Sequence, residues 1–257
     1  MGTIMASLSG RHALVTGGGR GIGRAVAEAL SAAGASVTVL GRGRDVLDET
    51  VTAGHAAGII VADVTDPAAI KAGIADAVAA RGPFDILVAN AGGVATAPFA
   101  KTGADQFQRM FDLNVLGIIH CAQAVMGDMV ARKFGRVVAI ASTAGLKGYP
   151  YVSAYCTAKH AVVGLVRSLA IETAKTGVTV NAICPGYTDT DLVRESVASV
   201  TKKTGKSEEE IVAQYVKDMP IARLIKPQEV AAAVLYLCSA EAAAVTGTAM
   251  TVAGGEI

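Results

Sequence analysis

The run HALVT at residues 12–16 breaks into the turn Gly17-Gly18-Gly19-Arg20-Gly21-Ile22-Gly23. The turn opens straight into a helical repeat, with Ile22, Val26, Ala29, Leu30 and Ala33 recurring on one face. Gly34 stands where that helix would be capped, and a second apolar run, 35–40, follows at once. Strand, tight turn, helix and strand in this order make a βαβ unit, whose two strands must be parallel. A parallel sheet needs helices on both faces, so its strands read as continuous apolar runs rather than alternating ones.

The rest of the chain repeats the pattern. Strands are expected at 59–62, 84–89, 136–141, 178–183 and 248–252. Helices are expected at 45–53, 66–80, 104–132, 152–173 and 227–239. Asp66-Pro67 is a helix start, with an N-capping acid and a proline at the first helical position. Ser207 with Glu210 forms a capping box for a short helix. The least regular stretch, 187–207, reads as a long functional loop, part of a substrate lid over roughly 187–217. The expected fold is α/β: one domain over 1–257, a Rossmann-type doubly wound parallel sheet of about seven strands.

Composition closes off other classes. Hydrophobic residues make up 52% and charged ones 18%, which excludes a disordered chain. The net charge is +1, from 23 basic and 22 acidic residues, and the chain has no Trp; both argue against a nucleic-acid partner. Cys121, Cys156, Cys184 and Cys238 lie far apart, and the histidines have no ligand spacing, so no metal site is expected. No run of about 20 apolar residues stands out, so no membrane partner is expected. The opening residues lack a basic segment followed by a long apolar one, and the expected location is the cytoplasm.

The glycine turn has its own chemistry. Glycines allow a tight bend and a close approach to a pyrophosphate, and the helix start offers free N–H groups at a positive dipole end. The second strand ends Leu40-Gly41-Arg42-Gly43-Arg44. An acid at that place would suit a ribose 2′-hydroxyl, whereas an arginine accommodates a 2′-phosphate. Arg42, with Arg20 from the turn, therefore points to NADP(H) ahead of NAD(H).

Ser142 ends the fifth strand, and Tyr155 and Lys159 lie four residues apart on one face of the helix that follows. An ammonium beside a phenol favours phenolate and would bring the tyrosine toward working pH. With these motifs in order, the chain resembles the classical short-chain dehydrogenases/reductases over nearly its whole length. Thr16-Gly17 with Gly21-Ile22-Gly23 matches the family's cofactor turn, Gly19 and Arg20 included. Asp63-Val64 falls where members hold the adenine, and Asn90-Ala91-Gly92 matches the pattern after the fourth strand, with Ala89 in place of a common Asn. Asn114, Ser142, Tyr155 and Lys159 match the catalytic set. Pro185-Gly186 with Thr188 and Thr190 matches the segment that meets nicotinamide and pyrophosphate.

The resemblance implies that Tyr155 protonates a carbonyl oxygen during hydride transfer. Lys159 tunes Tyr155 and holds the nicotinamide ribose, Ser142 positions the carbonyl, and Asn114 supports a reprotonating water chain. Subfamily likeness is to β-ketoacyl reductases, 3-hydroxyacyl-CoA dehydrogenases and polyketide ketoreductases. The implied substrate is a 3-oxoacyl thioester or a related cyclic or aryl ketone. Tyr149, Pro150, Tyr151, Thr188 and residues 192–216 are placed at its mouth. Alternatives are an NAD-dependent alcohol or hydroxyacyl-CoA dehydrogenase, an isomerase or dehydratase, and a non-catalytic NADP-sensing regulator. Family habit implies a homotetramer.

Overall fold

A computed structural model describes residues 7–257, apart from the side chains of Ser199 and Lys203. Residues 1–6, where the expectation about an amino-terminal leader partly falls, lie outside the described residues. The apolar runs become strands β1 (His12–Thr16), β2 (Ser36–Gly41), β3 (Gly58–Val61), β4 (Ile86–Ala89), β5 (Gly135–Ile140), β6 (Val178–Pro185) and β7 (Ala249–Val252). The helices are α1 (Gly21–Ala32), α2 (Arg44–Thr52), α3 (Pro67–Arg81), α4 (Ala104–Phe111), α5 (Gly117–Ala131), α6 (Ser153–Thr173), α7 (Asp191–Thr204), α8 (Glu208–Val216) and α9 (Pro227–Cys238).

The strands form one parallel sheet in the order β3-β2-β1-β4-β5-β6-β7. The order reverses between β1 and β4, and open sheets of this kind bind ligands at the carboxyl edge of such a reversal. Every residue of β1, β4, β5 and β6 is buried, as a sheet covered on both faces requires. One apolar layer packs α1, α2 and α9 on Val15, Val39, Val88 and Val138. The other packs α3, α4, α5 and α6 on Leu14, Leu87, Val137 and Val180.

Local signals explain several boundaries. Asp66 Oδ1 accepts from the N–H groups of Ala68 and Ala69, both at 3.0 Å, and so starts α3. Ser207 and Glu210 close their capping box at α8 with bonds of 3.2 and 2.8 Å.

The structure corrects the sequence reading in two places. The stretch expected as a loop carries α7, which ends at Gly205 in the left-handed conformation (φ 70°). The single helix expected over 104–132 is two helices joined by a π-helical turn, Asp112–Leu116. By length and composition alone, Ala104–Ala131 is also apolar enough to cross a membrane. In the fold that apolarity faces the sheet, with Met110, Val115, Ile118, Cys121, Val125 and Met129 in the core.

Opposite the carboxyl edge, Asp85 ties the sheet together. It is buried and meets Arg132 at 2.5 Å, Arg11 at 3.5 Å and the His12 backbone N–H at 3.1 Å.

Candidate active site

The glycine turn sits beside the reversal of strand order. Gly17 has φ 65°, which a residue with a side chain resists, and its N–H donates to the Leu40 carbonyl at 2.7 Å. A Cβ at Gly23 would collide with the Gly17 carbonyl, so α1 starts hard against the turn. Thr16 and Asn90 lock the turn to β4. The Thr16 hydroxyl oxygen accepts from the backbone N–H groups of Asn90 (3.0 Å) and Ala91 (2.9 Å). The Asn90 amide donates to the Thr16 carbonyl at 2.9 Å and, more weakly, to that of Gly17 at 3.3 Å. Asn90 is thereby a brace for the cradle, and Ala89, buried in β4, leaves that brace intact.

Arg20 is the exposed residue before α1, and Arg42 follows β2 with its side chain 78% exposed. Arg42 has a loose pairing with Asp63 at 3.8 Å. Asp63 is held below its ordinary range, first by the Thr65 N–H it accepts from. Val64 is buried, and a Cβ on Gly117 would strike it. Across from α1, Gly186 donates its N–H to the Val252 carbonyl at 3.1 Å, and the Thr188 hydroxyl donates back to the Gly186 carbonyl at 3.0 Å. A cleft of about 290 Å³ opens there, lined by Gly21, Arg24, Asp189, Thr190 and Arg194. Pro185, at the end of β6, completes this edge.

The second group of residues gathers where β4 and β5 end. Asn114 is fully buried in the π turn. Its amide donates to the carbonyls of Met110 and Gly93, both at 3.0 Å. Single π turns inside helices often mark functional sites, because the widened turn re-aims a side chain. Lys159, only 5% exposed, donates from Nζ to the Ile140 carbonyl at 2.8 Å. Its ammonium lies 5.7 Å from the centroid of the Tyr155 ring. A Cβ at Gly92 would stand 2.7 Å from Asn114 Oδ1 and 3.7 Å from Lys159 Nζ, so these three residues converge. Ser142 caps the short turn after β5 by accepting the Ala144 N–H at 3.1 Å.

The electrostatics depart from the expectation drawn on the sequence. Burial pushes the Tyr155 phenol up to about 12, with Ser142 opposing; Lys159 does not figure among the causes of the shift. Burial also brings Lys159 down to about 8. In the protein alone Tyr155 therefore keeps its proton at neutral pH, because burial penalises the phenolate.

Two features had no clear sequence signal. Tyr187 stacks on Tyr215 at 4.6 Å between centroids and meets Tyr149 edge-on at 6.4 Å. Glu256 lies beneath this row with its carboxylate bonded to Tyr149 at 2.5 Å. Tyr149 was expected at a substrate mouth, but neither ring stacking nor a buried distant acid can be read from spacing.

The short chain dehydrogenase model matches residues 11–201, from the first strand into α7 and through both groups of residues. The chain belongs to the short-chain dehydrogenase family. It is 37% identical over 255 residues to oxidoreductase UcpA of Escherichia coli, covering 98% of this chain and 96% of that one. It is 39% identical over 246 residues to acetoacetyl-CoA reductase of Shinella zoogloeoides, covering 96% and 98%. Among solved structures, a variant of actinorhodin polyketide ketoreductase with NADPH superposes with a TM-score of 0.91 at 35% identity, covering 96% of this chain and 97% of that one. Levodione reductase superposes equally well, with a TM-score of 0.91 at 30% identity over 96% and 98%. The chain is therefore a short-chain dehydrogenase-type oxidoreductase on a Rossmann-like fold.

Proposed function

We propose that this oxidoreductase reduces a ketone to a secondary alcohol with NADPH, on a 3-oxoacyl thioester or a related cyclic or aryl ketone. The observation that carries the reading is the convergence of Asn114, Ser142, Tyr155 and Lys159 at the carboxyl edge of β4 and β5.

The edge fits a dinucleotide. Gly17, Gly18, Gly19, Gly21, Ile22 and Gly23 form a cradle in which a Cβ at most of the glycine positions would meet protein atoms; the N–H groups of Gly17 and Gly18 go to the Leu40 carbonyl, and those at the start of α1 are left to face a pyrophosphate. Arg20 and Arg42 would meet a 2′-phosphate, and Asp63 and Val64 would flank the adenine. Asn90, Ala91, Gly92, Tyr155, Lys159, Pro185, Gly186, Thr188 and Thr190 would line the nicotinamide end. When bound, the cofactor supplies a hydride.

The chain's own groups handle the proton and the placement. Tyr155 hands its phenolic proton to the carbonyl oxygen, and its high proton affinity keeps that proton in place until charge builds on the oxygen. The buried Lys159 ammonium stabilises the phenolate that results, in a site where little water screens it. The Ser142 hydroxyl holds the same carbonyl oxygen. Asn114 fixes Gly93 and keeps the edge beside Lys159 open to water that returns the proton. Residues 187–217, helical in large part, form the cover over the ketone.

The names of the relatives support the substrate class: one is an acetoacetyl-CoA reductase, whose named substrate is a 3-oxoacyl thioester, and another is a polyketide ketoreductase. The homotetramer that the family resemblance implies is tested by light scattering. The functional test is a panel of acetoacetyl-CoA, cyclic diketones and aryl ketones with NADPH and NADH in parallel. Turnover of one class with NADPH preferred bears the reading out; no turnover, or a strong NADH preference, contradicts it.

A further inference from the structure

Glu256, a buried acid, has no role in the reaction proposed above. Glu256 follows β7, and its side chain is 2% exposed. A carboxylate taken out of water needs partners. Tyr149 donates its phenolic proton to Oε1 at 2.5 Å, and Lys147 Nζ stands 3.1 Å from the same oxygen. A phenol has one proton, so the Thr143 hydroxyl, 2.7 Å from Tyr149, donates to the phenol oxygen in turn. The other carboxylate oxygen, Oε2, is buried without a partner among the described residues and would lie 3.1 Å from a Cβ at Gly186. Burial and the bond to Glu256 both push the Tyr149 phenol upward, so this proton stays where it is.

Thr143, Lys147 and Tyr149 all lie in the connection between Ser142 and Tyr155. From Tyr149 a row of rings runs onward: Tyr187 meets it edge-on, and Tyr215 of α8 stacks on Tyr187. The Tyr215 hydroxyl is 2.8 Å from the Ser196 hydroxyl on α7. Tyr187 is near enough to Tyr155 to raise its proton affinity. The row therefore links the connection after Ser142 to the covering helices α7 and α8, and its fixed end is Glu256.

We propose that Glu256 is a positioning residue for the reduction: by holding Tyr149 and Lys147 it fixes the 143–151 connection and the wall of rings that seats the ketone. This rests on the reductase reading above. Glu256 touches neither of the residues that move the proton, so it acts on where the ketone sits rather than on proton transfer.

The test compares the full chain with Glu256→Ala, Glu256→Gln, Tyr149→Phe and the Glu256→Ala/Tyr149→Phe pair. Amide hydrogen exchange without cofactor reads the clamp itself. Exchange over 143–151 should quicken by about tenfold in Glu256→Ala while 12–41 stays unchanged. Steady-state kinetics should show a ketone KM raised about fivefold or more, with kcat and the NADPH KM within about twofold. Glu256→Gln, which keeps an acceptor for Tyr149, should recover most of the KM, and the pair should be no worse than the poorer single variant. Unchanged exchange and KM in Glu256→Ala overturn the proposal, as does a general loosening with kcat and both KM values falling away together. If Glu256→Ala does not fold, Tyr149→Phe decides on the same terms. A wild-type chain that reduces no ketone overturns the reductase reading, and the exchange data then still decide whether Glu256 holds the connection.

Discussion

Asn114 and Gly93 exchange two hydrogen bonds: the Asn114 amide donates to the Gly93 carbonyl at 3.0 Å, and the Gly93 N–H donates to Asn114 Oδ1 at 3.3 Å. The same amide serves Met110, whose carbonyl is four residues back in the widened turn. Asn114→Ala removes all three bonds from a fully buried place. Leaving such groups unpaired costs ~1–3 kcal/mol. The variant should unfold at lower urea by that amount and lose turnover, while NADPH binding persists. Unchanged stability would show that water replaces the side chain.

Lys159 gives a prediction with opposite signs for stability and activity. Its folded value of about 8 lies below the model-compound value of 10.5, because burial penalises the charge. Below pH 8 both folded and unfolded chains carry the proton, and the penalty is fully present. Between 8 and 10.5 the unfolded chain holds more protons, so stability rises with pH. Lys159→Met should therefore be more stable than wild type at pH 7, by ~1–3 kcal/mol, and the gap should narrow from pH 8 to 10. Its turnover should be nearly abolished. In wild type, kcat/KM for ketone reduction should fall above about pH 8 as the ammonium is lost. Urea melts and rate profiles across that range check both halves.

Arg42 should matter for the cofactor and hardly for the fold. Its side chain is 78% exposed, and its pairing with Asp63 spans 3.8 Å. Exposed pairs of this kind contribute little, so Arg42→Ala should leave the urea midpoint nearly unchanged. Losing a phosphate partner should raise the NADPH KM roughly tenfold or more. The NADH KM should move by less than about twofold, and Arg20→Ala should add to the effect. Equal losses with both cofactors would remove Arg42 from the 2′-phosphate.

Asp85 tests the opposite edge of the sheet. It holds Arg132 at 2.5 Å and the His12 N–H at 3.1 Å, and it is 5% exposed. Asp85→Ala leaves the buried His12 N–H unpaired and releases Arg132, whose side chain is 33% exposed and can turn to water, so it should cost ~1–3 kcal/mol. Because the site is at the other end of the strands, kcat measured well below the new melting point should be close to wild type.

Most of the architecture was legible because parallel strands must be apolar on both faces. The fifth strand, read at 136–141, is found at Gly135–Ile140, and the sixth runs only two residues further than its apolar core suggests. The π turn was hidden because the apolar repeat continues through Asp112–Leu116, and one extra residue in a turn leaves no mark on composition. Helix α7 was missed because its Asp, Arg, Glu, Lys and Thr residues carry little apolar repeat. At the site, spacing along one helix was enough to pair Tyr155 with Lys159. It could not show that burial, rather than the lysine, sets the proton affinity of Tyr155. Glu256 lay furthest out of reach: its bond to Tyr149 joins residues 107 apart, and an acid read alone predicts exposure.

Tyr155 is the group proposed to give its proton to a ketone reduced with NADPH. The direct measurement is NADPH oxidation and alcohol formation by wild type and Tyr155→Phe on the best ketone, with NADPH affinity measured separately. One alcohol should form per NADPH in wild type, and Tyr155→Phe should lose turnover by about a thousandfold with NADPH affinity nearly intact. Wild-type turnover in Tyr155→Phe would contradict it.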